Sequence, residues 1–191
     1  SQYDHGPVCF IAHHNLPESG NMVMVFSNAD TIQLFRNDSL ISVQGPDRDS
    51  SSLNLMHPPF TFILPDHVPG TIKAIALRNG AVIASHTVST PGVPVALRLT
   101  ADFSNKPLRA DNSDAVLVYA TLIDSAGNQA HLADSLVEFT VRGNAELIGT
   151  NPVRAEAGIA SILLRSGSPG RVMIKASSAG MSEAELMTES R

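Results

Sequence analysis

Apolar and polar residues alternate with a period of two along most of this chain. Residues 22–26 and 31–36 are short alternating runs, and turn-forming residues 28–30 separate them. Successive side chains of a β-strand point to opposite faces, so this pattern predicts strands with one buried face. Residues 181–189 are helix-compatible but follow Gly180 near the end of the sequence. We interpret them as a strand end or a frayed tail.

One β-hairpin is predicted with particular clarity. Alternating runs at 71–78 and 81–88 flank the dipeptide Asn79-Gly80. Both central residues of a type I′ turn need positive φ, which Asn and Gly adopt at low cost. The two runs are therefore expected to pair as antiparallel neighbours.

The alternating pattern breaks at residues 89–94, Ser-Thr-Pro-Gly-Val-Pro, and then restarts. Pro and Gly between strand-rich segments are typical of a domain boundary. The absence of helical crossovers excludes parallel βαβ units. We therefore predict an all-β chain of two tandem immunoglobulin-like β-sandwich domains, at 1–93 and 94–191. The predicted strands of the second domain are 96–100, 115–123, 136–141, 145–148, 158–165 and 171–177.

Composition narrows the class of protein. The chain has 191 residues, of which 43% are hydrophobic and 16% charged, so it is expected to fold. A net charge of −5 without a basic stripe argues against a nucleic-acid partner. No apolar run approaches the roughly 20 residues that span a bilayer, so no membrane span is expected. No signal peptide opens the sequence, and the signal of an exported parent would lie upstream.

The single cysteine and the histidines are the candidate reactive or metal-binding groups. Cys9 lies in an apolar segment and is interpreted as a small buried hydrophobe, because reactive thiolates need electropositive, accessible surroundings. His13 and His14 are neighbours, so on a strand they would point to opposite faces and could not share a metal. We predict no metal site and no cofactor. The histidines of the first half are His5, His13, His14, His57, His67 and His86.

The sequence predicts no catalytic carboxylate pair in this chain. Glycoside hydrolysis usually needs two carboxylates roughly 5 to 10 Å apart. Glu18 lies in a loop-like segment, and Glu138 alternates with apolar neighbours as a solvent-facing strand residue does. Residues 167–170, Gly-Ser-Pro-Gly, are interpreted as a turn and not as a nucleophile elbow. The other glutamates lie at strand edges or in the tail, and they are Glu146, Glu156, Glu183, Glu185 and Glu189.

Aromatic side chains were considered as sugar-stacking platforms. Tryptophan is absent, and Tyr3 and Tyr119 are the two tyrosines. Tyr3 is the least constrained aromatic because it lies near the terminus. Ligand-binding residues are left unassigned. Five phenylalanines lie in apolar patterns and are predicted to be core, namely Phe26, Phe35, Phe60, Phe62 and Phe139.

Several segments resemble the non-catalytic C-terminal part of bacterial glycoside hydrolase family 2 enzymes. In the first half, residues 6–14, 25–37, 57–62, 69–76 and 90–92 are similar to the domain that follows the catalytic barrel. In the second half, residues 96–100, 110–111, 123–128, 137–141 and 155–160 are similar to the immunoglobulin-like domain after it.

Two positions depart from that family pattern. Asn37-Asp38 replaces the usual Asn-Gly, so a different turn is expected there. A tryptophan often found after the early strand is missing, with Asn15 or Leu16 near its place. A contact made by that tryptophan in relatives would therefore differ here or be lost.

The resemblance implies a parent enzyme that is a retaining exo-β-glycosidase of the β-galactosidase type. Its two catalytic glutamates would lie on an upstream barrel, so none is carried over to this chain. The chain itself is expected to be non-catalytic, to support the barrel and to make domain or subunit contacts. The resemblance further implies a secreted or periplasmic protein.

Two alternative functions stay open at the level of sequence. One is a carbohydrate-binding module pair that anchors the enzyme to polysaccharide. The other is an adhesin-like stalk of immunoglobulin-type repeats. Exposed sheet edges also leave homodimer contacts open.

Overall fold

The computed structural model describes residues 6–104, 106 and 108–191, and it confirms that the chain is all-β. Within these residues, one 3-10 turn at Pro17–Ser19 accompanies the strands, and no helix is long and apolar enough to cross a bilayer. The contacts divide the chain into two compact units, Ser1–Thr90 and Pro91–Arg191.

The first unit contains two antiparallel sheets. One has the strand order β1-β2-β5, formed by Cys9–Ala12, Met22–Ser27 and Phe60–Ile63. The other has the order β4-β3-β6-β7, and its strands in chain order are β3 Thr31–Arg36, β4 Ser39–Gln44, β6 Thr71–Arg78 and β7 Ala81–Ser89.

The core of the first unit follows from the period-two pattern. Val23 and Val25 of β2 are buried, and Met24 between them is half-buried on the outer face. Phe60 and Phe62 of β5 are fully buried, whereas Phe26 is only half-buried. Burial of one large apolar side chain contributes about 1.5–3 kcal/mol, so these positions dominate the stability of the unit. The prediction that all five phenylalanines are core is wrong for Phe26 and for Phe35, which is also half-buried, because both lie on outer faces.

Two tight turns determine how the strands of the second sheet pair. Asn79 and Gly80 have φ of 51° and 77°, and the predicted hairpin of β6 and β7 is confirmed. Asn37 and Asp38 have φ of 48° and 64°, so both are left-handed as well. The expectation of a different turn at Asn37-Asp38 is therefore wrong. Asp tolerates this conformation well enough to replace the usual Gly.

The second unit also contains two antiparallel four-stranded sheets. The first has the order β11-β13-β9-β8, with β8 Ala96–Ala101, β9 Ala115–Ile123, β11 Ala145–Ile148 and β13 Ile159–Ser166. The second has the order β12-β10-β14-β15, with β10 Leu136–Arg142, β12 Val153–Arg154, β14 Gly170–Ser177 and β15 Ala184–Ser190. Phe139, Leu122, Leu164 and Ile174 are among its fully buried side chains.

The C-terminal segment is a complete edge strand, so the frayed-tail alternative is wrong. β15 pairs with β14 through seven residue pairs, from Gly170↔Ser190 to Ala176↔Ala184. Leu186 packs against the core of the unit, and Met187 points outward. Helix-compatible residue types form a strand here because β14 offers an unpaired edge, and tertiary pairing overrides weak local propensity.

Candidate functional site

The carboxylates that the sequence offers for hydrolysis all lie on the surface. All seven glutamates are exposed, and Glu18 lies in the 3-10 turn of the first unit. Glu146 forms an ion pair with Arg165, and Glu183 forms one with Lys175. Exposed ion pairs of this kind are surface features that contribute little to stability.

His86 joins the two sheets of the first unit. The backbone N–H of Ile11 in β1 donates to His86 Nδ1 of β7 across 3.1 Å. The neighbouring Phe10 ring lies 5.2 Å from the His86 ring, and Phe10 is 52% exposed. This hydrogen bond from Ile11 to His86 connects the edges of the two sheets.

Beside this edge, Cys9 is only partly buried and packs against the apolar core of the first unit. Burial raises the pKa of Cys9 to about 11, against a smaller lowering by a backbone hydrogen bond involving His86. The Sγ atom lies 3.7 Å from the carbonyl oxygen of Ala74. A thiol in this state is a poor nucleophile at neutral pH.

Two other histidines belong to a buried polar cluster around Asn15. His13 accepts the backbone N–H of Asn15 at Nδ1 over 2.9 Å and donates from Nε2 to the carbonyl of Gly20 over 3.2 Å. His67 donates from Nε2 to the backbone carbonyl of Asn15 over 3.1 Å. Each of these rings is committed to backbone groups. Among residues 6–104, 106 and 108–191, no group of three His, Cys, Asp or Glu side chains is arranged to hold a metal, and His5 lies outside the described residues.

The Asn15 side chain closes the first unit at the point where the chain leaves it. Asn15 is 2% exposed, and its Nδ2 donates to the carbonyl of Gly70 and to Thr90 Oγ1, both over 2.9 Å. The adjacent Leu16 is buried as well. Since Asn15 and Leu16 stand near the place of the family tryptophan, these interior side chains make no surface platform there.

The second unit holds its own first residues through Asp124. The backbone N–H of Gly92 donates to Asp124 Oδ2 over 2.8 Å, and Asn128 Nδ2 donates to the same oxygen over 3.0 Å. The pKa of Asp124 is lowered to about 2, chiefly by the Gly92 hydrogen bond and next by the Asn128 side chain. The turn at 124–128 therefore also anchors the segment that enters β8.

A cleft of about 520 Å³ lies at the opposite end of the first unit from Thr90. Asn28 lines it and also holds the first described residues, because its Nδ2 donates to the Gly6 carbonyl and its Oδ1 accepts the Val8 N–H. We call this the upstream end, because Gly6 lies there. The cleft is lined by Ser27, Asn28, Ala29, Asp30, Pro46, Arg48, Met56, His57, Pro58 and Arg78.

The β4–β5 loop, residues 45–59, forms one wall of this cleft. Asp47 anchors its base by accepting from the Thr61 hydroxyl over 2.6 Å, and Asp49 caps its central turn by accepting the Ser51 and Ser52 N–H groups. The loop nevertheless presents Leu53 and Met56, each 71% exposed. Sequence reasoning missed this loop, although its Leu-Asn-Leu-Met run within a polar stretch was a visible signal.

The two tyrosines provide no exposed ring among the described residues. Tyr3 lies outside the described residues, and Tyr119 is half-buried on β9. Phe10 is the more exposed ring, but it lies against His86 at the edge of the first unit. The described residues thus offer one exposed ring here, whereas sugar-binding faces stack pyranoses on well-placed aromatic side chains.

Comparisons with known proteins point to one enzyme family. Residues 97–187 match the family described as glycoside hydrolase family 2 C-terminal domain 5, and residues 21–84 match a domain of unknown function, DUF4982. A β-galactosidase of Thermoanaerobacter pseudethanolicus is 32% identical over 188 residues, which cover 91% of this chain and 25% of that protein. A β-galactosidase of Bacteroides ovatus is 32% identical over 180 residues, which cover 87% of this chain and 20% of that protein.

A solved structure of a β-glucuronidase from glycoside hydrolase family 2 superposes with a TM-score of 0.74 at 27% identity, covering 97% of this chain and 20% of that one. The chain therefore spans only a fifth to a quarter of the length of these relatives. Together with the match of residues 97–187 to a C-terminal domain family, this shows that the chain belongs with the C-terminal domains of glycoside hydrolase family 2.

Proposed function

We propose that this chain is the non-catalytic C-terminal accessory region of a larger, secreted or periplasmic bacterial glycosidase. The parent would be a retaining β-galactosidase of glycoside hydrolase family 2, and its catalytic barrel would precede the two units. The accessory region would support that barrel and orient its contacts with neighbouring domains or subunits.

One observation carries the proposal. The match to a β-galactosidase extends over 91% of this chain but only 25% of the relative, so the chain corresponds to a minor part of an enzyme of that kind. The exposed glutamates, three of which form surface ion pairs, agree with a supporting role.

The sugar is proposed from the relatives. Two relatives at 32% identity are named β-galactosidases, whereas the superposed structure at 27% identity is a β-glucuronidase. Galactoside is therefore the preferred substrate class of the parent, and glucuronide is the competitor to be measured beside it.

The proposal is tested by assaying residues 1–191 and the longer polypeptide of the same gene on nitrophenyl β-galactoside and β-glucuronide. The longer polypeptide is expected to hydrolyse the galactoside, and residues 1–191 alone are expected to show no turnover. Turnover by residues 1–191 that disappears in a Glu138→Gln variant would contradict the proposal.

Two further measurements address location and anchoring. Cell fractionation is expected to place the parent in the periplasm or the medium, and a cytoplasmic parent would contradict export. Retention of residues 1–191 on a polysaccharide affinity gel would replace structural support with carbohydrate anchoring as the function of the region.

A further inference from the structure

The strands of the first unit place its chain ends at opposite poles. Cys9 at the start of β1 pairs with Ser27 at the end of β2, and Thr31 at the start of β3 pairs with Leu77 near the end of β6. The loops 28–30, 45–59 and 79–80 therefore share the upstream end with Gly6. Thr90 lies with the loops of the other end, where it contacts Asn15 and Gly70.

The upstream end is internally well ordered. Arg78 donates from Nη2 to the carbonyl of Asn28 over 2.6 Å, and the N–H of Asn79 donates to Asp30 Oδ2 over 2.8 Å. The 45–59 loop adds a hydrogen bond between the Asp47 N–H and the Pro59 carbonyl over 2.8 Å. These hydrogen bonds hold the loops in place, and none of them involves the apolar side chains at the tip of the 45–59 loop, Leu53, Leu55 and Met56.

That apolar tip is the unusual feature. Leu53, Leu55 and Met56 are all exposed, although the loop that carries them has hydrogen-bonded turns. Contiguous exposed apolar side chains on an ordered loop mark interaction surfaces, because water contact with them is unfavourable.

We propose that the upstream end of the first unit, with the 45–59 loop at its centre, is the surface on which the preceding domain of the same polypeptide docks. The inference rests on the proposed function, since it requires that domain to exist. The docking partner presents an apolar depression to Leu53 and Met56 and covers the mouth of the adjacent cleft.

Chain continuity selects this occupant. The relatives are four to five times longer than their match to this chain, and the second unit matches a C-terminal domain family. The preceding domain of the longer polypeptide is therefore joined to the first unit on the Gly6 side. Asn28 both binds Gly6 and lines the cleft. A domain tethered there has a high effective concentration at this surface, so modest apolar contacts suffice to hold it.

The test compares amide hydrogen exchange of residues 45–59 in the longer polypeptide and in residues 1–191. Docking is expected to slow exchange in this loop by about tenfold or more, because local opening is suppressed. Residues 37–38 and 64–70, at the other end of the unit, serve as internal controls and are expected to exchange equally in both. Equal exchange of the 45–59 loop in both proteins overturns the proposal.

A variant pair gives an independent measurement. Leu53→Ser/Met56→Ser in the longer polypeptide is expected to return the loop to the exchange rates of residues 1–191. The matched variant Leu132→Ser/Met187→Ser removes two side chains of similar exposure, each 66%, from the second unit and is expected to leave those rates unchanged. When the same two pairs of substitutions are made in residues 1–191, both variants are expected to keep the melting temperature of the unsubstituted chain. A return of rapid exchange in the matched variant as well would overturn the assignment to this loop.

The failure modes are distinguishable. A gene without a preceding catalytic domain removes the proposed function itself. An active longer polypeptide with an unprotected 45–59 loop removes only this docking surface. Protection of the loop in residues 1–191 that rises with protein concentration assigns the surface to a second copy, and protection on adding polysaccharide assigns it to carbohydrate; either result overturns the proposal.

Discussion

Asn15 and Thr90 are 75 residues apart in the sequence and exchange two hydrogen bonds. Asn15 Nδ2 donates to Thr90 Oγ1 over 2.9 Å, and the Thr90 hydroxyl donates back to the Asn15 carbonyl over 3.0 Å. The same hydroxyl accepts the Gly70 N–H over 3.1 Å, so its donor and both of its lone pairs are used. This saturated contact fastens the last residue of the first unit to its interior.

Replacing Asn15 is expected to destabilise the first unit. Asn15→Ala removes two side-chain donors and places Ala at a φ of 52°, which Asn tolerates better. The expected loss in the free energy of unfolding is about 2–4 kcal/mol, measured by urea denaturation. Asn21→Ala, at an exposed asparagine of the same loop, is the control and is expected to stay within about 0.5 kcal/mol.

Replacing Thr90 by Val measures what its hydroxyl group alone contributes to stability. Thr90→Val keeps the shape but leaves one N–H of the Asn15 side chain and the backbone N–H of Gly70 without their acceptor, so a loss of about 1–3 kcal/mol is expected. Thr90→Ser is expected to recover most of it, whereas Thr87→Val on the exposed face of β7 is the neutral control. In a double-mutant cycle that combines Thr90→Val with Asn15→Ala, the double variant should lose less unfolding free energy than the sum of the two single losses. Strict additivity would contradict a direct contact.

The lowered pKa of Asp124 predicts how the free energy of unfolding depends on pH. Its pKa is lowered to about 2 in the folded chain by the Gly92 N–H and the Asn128 side chain, against about 3.9 for an unfolded aspartate. The folded state therefore binds fewer protons in this range, and the stability that Asp124 contributes is present above about pH 4 and is lost as the pH falls towards 2. Asp124→Asn should flatten the fall in unfolding free energy between pH 5 and 2.5, followed by urea titrations.

The control for this prediction changes the same turn without changing a charge. Ser125→Ala, at an exposed position beside Asp124, is expected to keep the full pH dependence of the unfolding free energy of the unsubstituted chain. An Asp124→Asn variant whose profile follows that of Ser125→Ala would show that the carboxylate is not the titrating group.

Gly158 is expected to tolerate no side chain. It has a φ of 75°, and a Cβ atom there would collide with the backbone carbonyl of Ala130. Gly158→Ala should cost about 2–4 kcal/mol, because backbone strain and a clash with another main chain combine. Gly180→Ala is the matched control, with a φ of 76° and open space around the new methyl group, and should cost about 1 kcal/mol. Equal losses in the thermal or urea unfolding of both variants would contradict the close approach at Gly158.

Cys9 should react slowly with thiol reagents in the folded chain. Burial raises its pKa to about 11 from an ordinary 9.0, so the thiolate fraction at pH 7 falls by about 100-fold. Labelling with iodoacetamide is expected to be slow in buffer and fast in urea, followed by intact mass. Rapid labelling of the folded protein would show that the thiol is open to solvent.

The alternation of apolar and polar residues was sufficient to predict the all-β class and most strand positions. Period two is a local property, and a strand with one buried face needs no knowledge of its partner. The Asn79-Gly80 hairpin was predictable for the same reason, because positive φ is a property of two adjacent residues.

Tertiary structure alone decided the features that join distant residues. β15 is a strand because β14 offers it a free edge, although its residue types permit a helix. Thr90 contacts Asn15 across 75 residues, and Met56 of the 45–59 loop lines the same cleft as Asn28, which holds Gly6, only after two sheets have packed. Which polar groups are hydrogen-bonded and which side chains are exposed depend on which segments lie together in the fold. The pattern of residue types along the chain does not contain that information.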